Sequence, residues 1–315
     1  MDTSIKNLLS HNLPKFKCLN CGWMLGEDLT CKNQECKKKY LKHNGIPILI
    51  GDNCISTTVE DIINLSSYSK SKAGSNKYQK LYEYCAGLVP NTSSNTATRA
   101  AIHRLNSFLP KKSKVLNVGV LNGGAYLDEI YKNHTVFEVD ITIKKGLLCA
   151  CDLHQLPFFE REFDCVIVQN VLEHVLDPYL CVINILKCLK DSGFVYSEIP
   201  FMQQVHAEKF DYTRFTKRGH INLYKNFEII EAGWVAGPGT ALTWAIENFL
   251  LSFKIFNKYK RISLSLIRFS FFWIKYFDYI WKNDPTRSIG ASSTYLIAKK
   301  TENTLSFHEF MKIAP

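Results

Sequence analysis

A turn rich in glycine, between two apolar runs, is the feature of this sequence that points most directly to chemistry. The turn, residues 119–124, follows the apolar run 115–118, and Asp140 ends a second apolar run 21 residues after Gly119. In a βαβ unit such a turn lets the backbone approach a nucleotide, and an acid about 20 residues further on binds the ribose hydroxyls. The spacing therefore predicts a nucleotide-type cofactor with Asp140 at its ribose.

The segments around this turn alternate between strand and helix patterns. Short apolar runs predict strands at 115–118, 136–139, 163–168, 193–199, 227–232 and 293–300, and helical spacing of apolar residues predicts helices at 99–108, 125–132 and 172–189. This alternation is typical of a parallel sheet covered by helices. We therefore predict an α/β fold that binds its ligand at the carboxyl ends of the strands.

Several separate motifs in this region resemble the class I S-adenosylmethionine-dependent methyltransferases. They are residues 152–158, 163–164, 171–178, 186–189 and 191–193. A further block, residues 199–201, His206 and residues 211–216, resembles a bacterial branch often linked to surface-glycan biosynthesis. The resemblance covers roughly residues 111–238 and the last strand. It implies a Rossmann-like class I methyltransferase sheet with helices on both faces.

The resemblance also implies which residues hold S-adenosylmethionine. Gly119 and Gly123 would let the backbone approach the methionine moiety, and Asp140 would take the ribose hydroxyls. Asp152 would accept a hydrogen bond from the adenine amino group, and the Leu153 amide would meet an adenine nitrogen. With Gln169 and Asn170 beside the sulfonium, the implied cofactor-binding residues are Asn117, Gly119, Gly123, Asp140, Asp152, Leu153, Gln169 and Asn170.

The glycine turn departs from the family pattern at two positions. Asn117 stands where the family usually has an acid, and Leu121 stands where it has a second glycine. Asparagine brings no negative charge toward a cationic cofactor, and a branched side chain in a tight turn disfavours positive φ. The adjacent pair Gly123-Gly124 could shift the turn by one residue and relieve this. Two interpretations stay open: an active methyltransferase, or a non-catalytic scaffold that kept the fold and lost the cofactor.

Three residues beyond the fourth predicted strand are candidates for catalysis. His206 is expected to project over the cofactor as a general base, because the unperturbed pKa of histidine is near neutrality. Asp211 would orient that imidazole or act as the base, and Arg214 would hold an anionic acceptor by a forked contact. The alternatives are a surface histidine and an internal Asp211–Arg214 ion pair that fixes the loop. Capping and packing explain Glu173 and His174 as well as chemistry does.

Four cysteines near the amino terminus have the spacing of a metal site. Cys18 and Cys21 form one close pair, and Cys31 and Cys36 form a second pair after a short spacer. Four thiolates in two pairs suit tetrahedral zinc in a closed structural site. Residues 40–50 resemble the zinc-ribbon segment that precedes some methyltransferases. Disulfides are the alternative, and the odd total of 11 cysteines disfavours them.

Residues 249–284 form an aromatic and basic helical insertion before the last strand. The basic residues that recur every seven positions are Lys254, Arg261, Arg268, Lys275 and Lys282. On one helix they form a basic stripe, and charges interrupt the apolar run too often for a membrane span. A basic stripe beside aromatic side chains predicts contact of residues 249–282 with a membrane surface. The alternative is a helical pair packed on the sheet or across a homodimer contact.

Length and composition fit one large domain and an accessory unit. The 315 residues are expected to divide into a zinc-ribbon-like domain (1–54), a linker and cap (55–98), a methyltransferase domain (99–300) and a tail (301–315). The formal charge of +10 raises the alternative of an RNA methyltransferase. We do not expect a nucleic-acid partner, because the lysines are spread along the chain and no exposed basic run alternates with aromatic residues outside the insertion.

The sequence thus predicts an enzyme that transfers a methyl group from S-adenosylmethionine to a small-molecule, sugar or lipid-linked glycan acceptor. The first residues lack a secretory signal, and cysteines within apolar runs indicate a reducing compartment. We therefore expect a cytoplasmic protein, peripheral at the inner membrane face, with structural zinc as a second cofactor.

Overall fold

One sheet organises the chain, of which the computed structural model describes residues 13–71, 97–119, 127–206, 208–280 and 289–313. Within these ranges its strands are β1 (Leu41–His43), β2 (Ile46–Leu49), β3 (Lys114–Val118), β4 (Thr135–Asp140), β5 (Cys149–Cys151), β6 (Phe163–Gln169), β7 (Leu189–Pro200), β8 (Phe227–Ala236) and β9 (Ser293–Lys300). The helices are α1 (Val59–Ser71), α2 (Thr98–Phe108), α3 (Asp128–Asn133), α4 (Pro178–Cys188), α5 (Lys217–Leu223), α6 (Pro238–Leu251), α7 (Lys254–Lys258), α8 (Lys260–Phe271), α9 (Phe277–Ile280) and α10 (Phe307–Lys312).

The strand order creates a crevice at one edge of the sheet. The order is β1-β2-β5-β4-β3-β6-β7-β9-β8. The pairings from β2 to β7 are parallel, whereas β1 and β9 run antiparallel to their neighbours. The run β5-β4-β3-β6-β7 follows the 3-2-1-4-5 order of doubly wound sheets, so the fold is Rossmann-like. The order reverses between β3 and β6, and such sheets bind ligands beyond the carboxyl ends at that point.

Alternate residues of the central strands pack into two cores, one on each face of the sheet. Leu116 and Val166 belong to one core, whereas Val115 and Cys165 belong to the other, and all four are fully buried. Residues of α4 cover the first face, and residues of α2 cover the second. Strands buried on both faces need almost continuous apolar sequence, which is why these strands could be located from the pattern.

The observed elements correct the predicted boundaries in several places, among them β8, which ends at Ala236 and not at residue 232. β9 has its predicted bounds, and β3, β4 and β6 end within one residue of theirs. The predicted helix 172–189 is too long, because α4 begins only at Pro178, where the Asp177 side chain accepts a hydrogen bond from the Leu180 amide. β7 begins at Leu189, four residues before the predicted strand 193–199.

The amino-terminal segment continues the same sheet. β2 pairs in parallel with β5 through Ile48–Ala150 and Leu49–Cys151, so the β1–β2 hairpin is an edge of the large sheet. The region 55–98, expected as a linker and cap, contains the helix α1. Ile62 of α1 is fully buried in a small core with Ile48 and Ile50. α1 is therefore fixed to the hairpin by apolar contacts that the sequence pattern did not reveal.

The insertion before β9 consists of short helices rather than one helix. Extended backbone at Phe253 separates α6 from α7, and Tyr259 separates α7 from α8. The buried carboxylate of Asp278 accepts hydrogen bonds from the amides of Gly237 (3.1 Å), Gly239 (2.7 Å) and Thr240 (3.0 Å). A carboxylate at the first turn of a helix caps the free amides there, so α9 is held against the start of α6. In the described ranges, no helix is long and apolar enough to cross a membrane.

The predicted basic stripe is not formed, because it requires one continuous helix. Arg268 points toward the protein and forms an ion pair with Glu247, with a distance of 2.8 Å from Nε to Oε2. Lys275 is buried. Lys282 and the side chain of Arg261 lie outside the described part of the chain.

Candidate functional site

A cavity of about 200 Å³ lies at the carboxyl ends of the central strands, where the strand order places a ligand site. Five of the eight residues that the resemblance implies for the cofactor line it: Gly119, Asp140, Asp152, Leu153 and Asn170. They come from four separate segments of the chain. The fold therefore brings most of the expected cofactor residues to one place, while Gly123 and the neighbouring Leu121 lie outside the described residues.

Gly119 shapes the floor of this cavity. Its φ is +75°, and its amide donates to the carbonyl of Val139 at 2.9 Å. A Cβ atom at this position would collide with the side chain of Val171. Only glycine therefore fits here, and the exposed backbone gives a ligand a close approach.

Asp140 lies at the end of β4 with both carboxylate oxygens engaged. One oxygen accepts hydrogen bonds from the amide and the hydroxyl of Thr142, each at 2.8 Å. The other oxygen forms an ion pair with Lys144 at 2.9 Å. A ribose hydroxyl that binds to Asp140 would share or replace the contact with Lys144, which sequence reasoning did not anticipate.

Asp152 is held by partners from two directions. One oxygen accepts from the amide of His154 (2.7 Å) and from its Nδ1 (2.6 Å). His154 Nε2 accepts from the Asp177 amide at 3.0 Å, so Nδ1 carries the proton and donates to Asp152. The other oxygen accepts from the Ser56 hydroxyl and from Cys54 Sγ. The amino-terminal segment thus reaches the oxygen that the resemblance implies for the adenine amino group.

Two residues implied for the cofactor, Asn117 and Gln169, are not among the lining residues that the structure describes. Asn117 is buried, and its side-chain amide donates to the Tyr131 hydroxyl at 3.1 Å. Gln169 forms a side-chain hydrogen bond with the buried Glu198. The next residue, Asn170, does line the cavity, with φ at +51° and its amide bonded to the Glu198 carbonyl. Leu153 is fixed from behind by Asn184, whose side chain donates to the Leu153 carbonyl at 3.3 Å.

A second cavity, of about 750 Å³, adjoins the first. The two share Asp152 and His174 as part of their walls. The far wall comes from α1 and the residues before it, and Phe210 and Tyr212 contribute from the loop after β7. This arrangement leaves room for an acceptor molecule directly beside the cofactor cavity.

Glu173, His174 and His206 form a polar cluster of which His174 lines both cavities, whereas Glu173 and His206 are not among their described lining residues. Glu173 is fully buried, and neither of its carboxylate oxygens has a hydrogen-bond partner among the described residues. Its Oε1 lies 3.6 Å from Nε2 of His174 and 3.6 Å from Nε2 of His206. The Glu173 carboxylate, with a smaller contribution from Asp211, raises the pKa of His206 against the opposing effect of burial. Within the described ranges the Glu173 carboxylate caps no amide, so capping does not account for it.

Asp211 and Arg214 form an ion pair that holds the loop after β7. Arg214 donates two hydrogen bonds to the Asp211 carboxylate, which lowers the pKa of Asp211 to about 2. Its remaining donors bond to the carbonyls of Gln203 (3.0 Å), Gln204 (3.2 Å) and Thr213 (2.9 Å). Arginine has five N–H donors, and this loop engages all of them. The geometry favours the loop-fixing alternative over the anion contact expected of Arg214.

The four predicted metal-binding cysteines lie together. The Sγ atoms of Cys18 and Cys36 are 3.8 Å apart, those of Cys21 and Cys31 are 3.4 Å apart, and all four lie within 4.8 Å of one another. Four sulfurs at about 2.3 Å from one zinc ion would be ~3.8 Å apart, so the cluster fits a tetrahedral site. Burial raises the pKa of Cys18, but hydrogen bonds from Tyr40 and from the amides of Asn20 and Cys21 outweigh it and lower that pKa to about 7. Burial raises the pKa of Cys31 to about 12, so the sulfur positions and not the thiol pKa values support the metal site.

Comparison with known proteins identifies the central part of the chain. Residues 118–197 match a family model described as a methyltransferase domain. These residues contain β4 to β6, α4 and most of β7, and with them every described residue that lines the smaller cavity. No curated protein matches the chain.

The solved structures that match this chain are only distantly similar to it. Burkholderia thailandensis 1,6-didemethyltoxoflavin-N1-methyltransferase is 15% identical over 83% of this chain and 98% of its own, with a TM-score of 0.43. Haemonchus contortus phosphoethanolamine N-methyltransferase 2 is 17% identical over 65% of this chain and 52% of its own, with a TM-score of 0.41. The [4+2]-cyclase SpnF is 14% identical over 65% of this chain and 81% of its own, with a TM-score of 0.39. These values are too low to transfer an activity. The family match therefore assigns a methyltransferase domain to residues 118–197 of this chain.

Proposed function

We propose that this enzyme methylates a hydroxyl group of a sugar or a lipid-linked glycan, held in the larger cavity beside the cofactor. The observation that carries the proposal is the common wall of the two cavities, formed in part by Asp152 and His174. His174 is the part of this wall that lines the smaller cavity together with Asn170, the residue implied to lie beside the sulfonium. An acceptor that reaches His174 would therefore lie on the methyl side of the cofactor, and methyl transfer depends mainly on such positioning. The glycan class rests on the resemblance of residues 199–216 to the surface-glycan branch.

The residues of the smaller cavity fit S-adenosylmethionine. The open backbone at Gly119 would face the methionine moiety, Asp140 the ribose, and Asp152 with the Leu153 amide the adenine. Bound there, the cofactor supplies an electrophilic methyl group. The protein's own task is to align the acceptor oxygen and to remove its proton. In this proposal His206 takes that proton at the cluster around Glu173, and Asp211 fixes the loop that carries His206 through its amide (2.7 Å).

We further propose that the amino-terminal cysteines hold structural zinc. The sulfur distances support a closed four-sulfur site, which has no open position for catalysis. Its role would be to hold the segment that precedes β1. That segment contacts the methyltransferase domain, because the Lys17 amide donates to the Pro157 carbonyl at 2.9 Å.

An exposed surface on the insertion supports a membrane-bound acceptor. Large apolar side chains of the insertion that are about half exposed or more include Phe253, Ile255, Tyr259, Ile262, Leu266 and Phe269. Lys254, Lys258 and Lys260 lie exposed among them. Apolar side chains with interspersed lysines suit the interface of an anionic membrane. We propose that this surface docks to the membrane that carries the acceptor, while Asp278 anchors the opposite side of the insertion to the protein.

Transfer of labelled methyl groups tests the function. The enzyme would be incubated with methyl-tritiated S-adenosylmethionine and, in separate reactions, lipid-linked glycans, nucleotide sugars and RNA. We expect label in the lipid-linked fraction and none with an Asp140→Asn variant. Label in RNA alone, or cofactor binding without transfer to any of these acceptors, would contradict the proposal. Sedimentation with anionic vesicles at low salt tests the docking surface, and a protein that stays in the supernatant would overturn that part.

A further inference from the structure

We propose that Glu173, His174 and His206 bind a divalent metal ion between the two cavities. The inference rests on the proposed function and changes one role in it, because a His206 that binds a metal cannot also take the proton. Two imidazoles and one carboxylate are the protein ligands of open transition-metal sites, which keep further positions for water or substrate.

The distances fit two ligands of one ion better than they fit hydrogen bonds. Glu173 Oε1 is 3.6 Å from Nε2 of each histidine, and the ligand atoms of all three residues lie within 4.8 Å. A hydrogen bond between these groups would be shorter, at roughly 2.7–3.2 Å. Two ligands at about 2.1 Å from a metal are ~3.0 Å apart in octahedral and ~3.4 Å apart in tetrahedral geometry. A small contraction of the cluster would bring all three atoms into coordination distance.

The burial of Glu173 requires a positive partner. Its carboxylate is 0% exposed and has no hydrogen-bond partner within the described ranges. A buried charge without a partner costs several kcal/mol, and native carboxylates in such positions are protonated, paired or bound to metal. The carboxylate is aimed at two imidazole nitrogens, which are the commonest metal ligands in proteins.

The surroundings fix the histidines as a metal site requires. His174 Nδ1 lies 2.6 Å from the Phe210 carbonyl, so Nδ1 carries the proton and the lone pair of Nε2 faces Glu173. A lone pair facing a carboxylate is repulsive unless a cation or a proton lies between them. Metal-binding histidines usually donate their other nitrogen to a carbonyl or carboxylate in this way. His206 Nδ1 lies 3.5 Å from the Asp211 carboxylate and 3.4 Å from the Arg214 guanidinium.

The position of the cluster gives the metal a role in the reaction. His174 lines both cavities, so the free positions of the ion would face the acceptor. A metal-bound hydroxyl loses its proton at a lower pH than a free one. The ligand class at the open positions is therefore the acceptor hydroxyl itself: the ion would orient it, and its proton would pass to solvent water through the larger cavity as the oxygen takes the methyl group from the sulfonium. Nitrogen and oxygen ligands favour zinc, iron, cobalt or manganese over calcium.

Binding of Mn²⁺ alone, followed by electron paramagnetic resonance, tests the inference without an acceptor. The protein would first be dialysed against citrate, which strips an open site and leaves a closed four-thiolate site filled. We expect one Mn²⁺ per chain for the wild type and at least ~10-fold weaker binding for Glu173→Gln and for His206→Gln. His103→Gln is the control, because its side chain is 73% exposed and lies outside the cluster.

Mn²⁺ binding and cofactor binding are measured separately, so the metal site and the proposed function can fail independently. No Mn²⁺ binding by the wild type, or equal binding by all variants, overturns the metal site. His206 lies on a loop and is partly exposed, so His206→Gln remains informative if Glu173→Gln fails to fold. Cofactor binding is measured separately by calorimetry. Mn²⁺ binding without cofactor binding would refute the proposed function and support the metal site. Cofactor binding without Mn²⁺ binding would refute the metal site and leave the proposed function intact.

Discussion

The hydroxyl of Ser56 donates a hydrogen bond to the carboxylate of Asp152, 96 residues further along the chain. Asp152 lines both cavities, and Ser56 lines the larger one. The amino-terminal segment therefore does more than precede the methyltransferase domain: it reaches a carboxylate oxygen that the cofactor is expected to need. Cofactor binding and the position of this segment should be coupled.

Removal of the Ser56 hydroxyl should strengthen cofactor binding. A Ser56→Ala variant leaves only the Cys54 thiol on that Asp152 oxygen, and a hydrogen bond to a charged group contributes about 1.5–3 kcal/mol, so the adenine amino group could gain about 10-fold in affinity or more. Calorimetry with S-adenosylmethionine would measure the change, and Ser252→Ala, at an exposed position, is the control. Weaker binding by Ser56→Ala would show that Ser56 supports the site instead of competing for it.

Substitution of alanine for Gly119 should lower the free energy of unfolding more than the same substitution at Gly146. Gly119 and Gly146 both have positive φ, but a Cβ at Gly119 would collide with Val171, whereas one at Gly146 meets open space. Gly146→Ala should cost about 1 kcal/mol of unfolding free energy from backbone strain alone, and Gly119→Ala should cost ~3 kcal/mol. Urea unfolding measures both. Equal losses would mean that Val171 moves aside freely.

Loss of one cysteine ligand should release the zinc. We expect about one zinc per chain in the wild type and almost none in Cys31→Ser, because a closed site depends on all four sulfurs. Cys54→Ser is a matched control, since Cys54 is also near the amino terminus but lies outside the cluster. Metal analysis of protein purified under reducing conditions measures the number of zinc ions per chain. Zinc-free wild-type protein, or zinc retained by Cys31→Ser, would refute the metal assignment.

His220 should make the fold less stable in mild acid. It is buried between the hydroxyls of Ser197 (2.9 Å) and Thr294 (3.1 Å), and burial lowers its pKa to about 3. Above pH ~6.5 neither the folded nor the unfolded state protonates this imidazole. Below that value the unfolded state gains a proton that the folded state excludes, so the free energy of unfolding falls as the pH drops toward 3.

The variant His220→Gln should remove this part of the pH dependence. Between pH 6 and 5, the wild-type free energy of unfolding should fall more steeply with decreasing pH than that of the variant, and the difference in slope approaches about 1.4 kcal/mol per pH unit for one proton. Urea unfolding at several pH values measures it, with His103→Gln as the exposed control. If His220→Gln retains the full wild-type slope, burial does not exclude the proton from His220.

The central strands could be predicted from the sequence because their burial imposes a simple pattern. β6, for example, needs apolar side chains on both faces, and its residues Cys165 to Val168 are all fully buried. β5 was missed because Cys149–Cys151 is too short to show a period. The sequence predicts a linker at α1 because few of its residues are apolar, and the contacts that fix it are with residues distant in sequence, such as that of Ser66 with the Ile143 amide.

The candidate site was predictable only where local sequence determines it. Gly119 and Asp140 follow from strand ends and a fixed spacing within one βαβ unit. The contact of Ser56 with Asp152, the approach of His206 to Glu173 and the capping of α6 by Asp278 join residues distant in sequence. No periodicity records such contacts, which is why the basic stripe is predicted on one continuous helix and why the sequence alone does not decide between capping, packing and chemistry for Glu173.

Calorimetric titration with S-adenosylmethionine and S-adenosylhomocysteine tests the central claim most directly. Asp140→Asn removes the charge that is expected to bind the ribose, and Glu302→Gln changes an exposed acid in the carboxyl-terminal segment. We expect both ligands to bind the wild type and Glu302→Gln equally, and Asp140→Asn at least ~10-fold more weakly, since hydrogen bonds to a charged group contribute about 1.5–3 kcal/mol. Folded wild-type protein that binds neither ligand would contradict the assignment of this cavity to the cofactor.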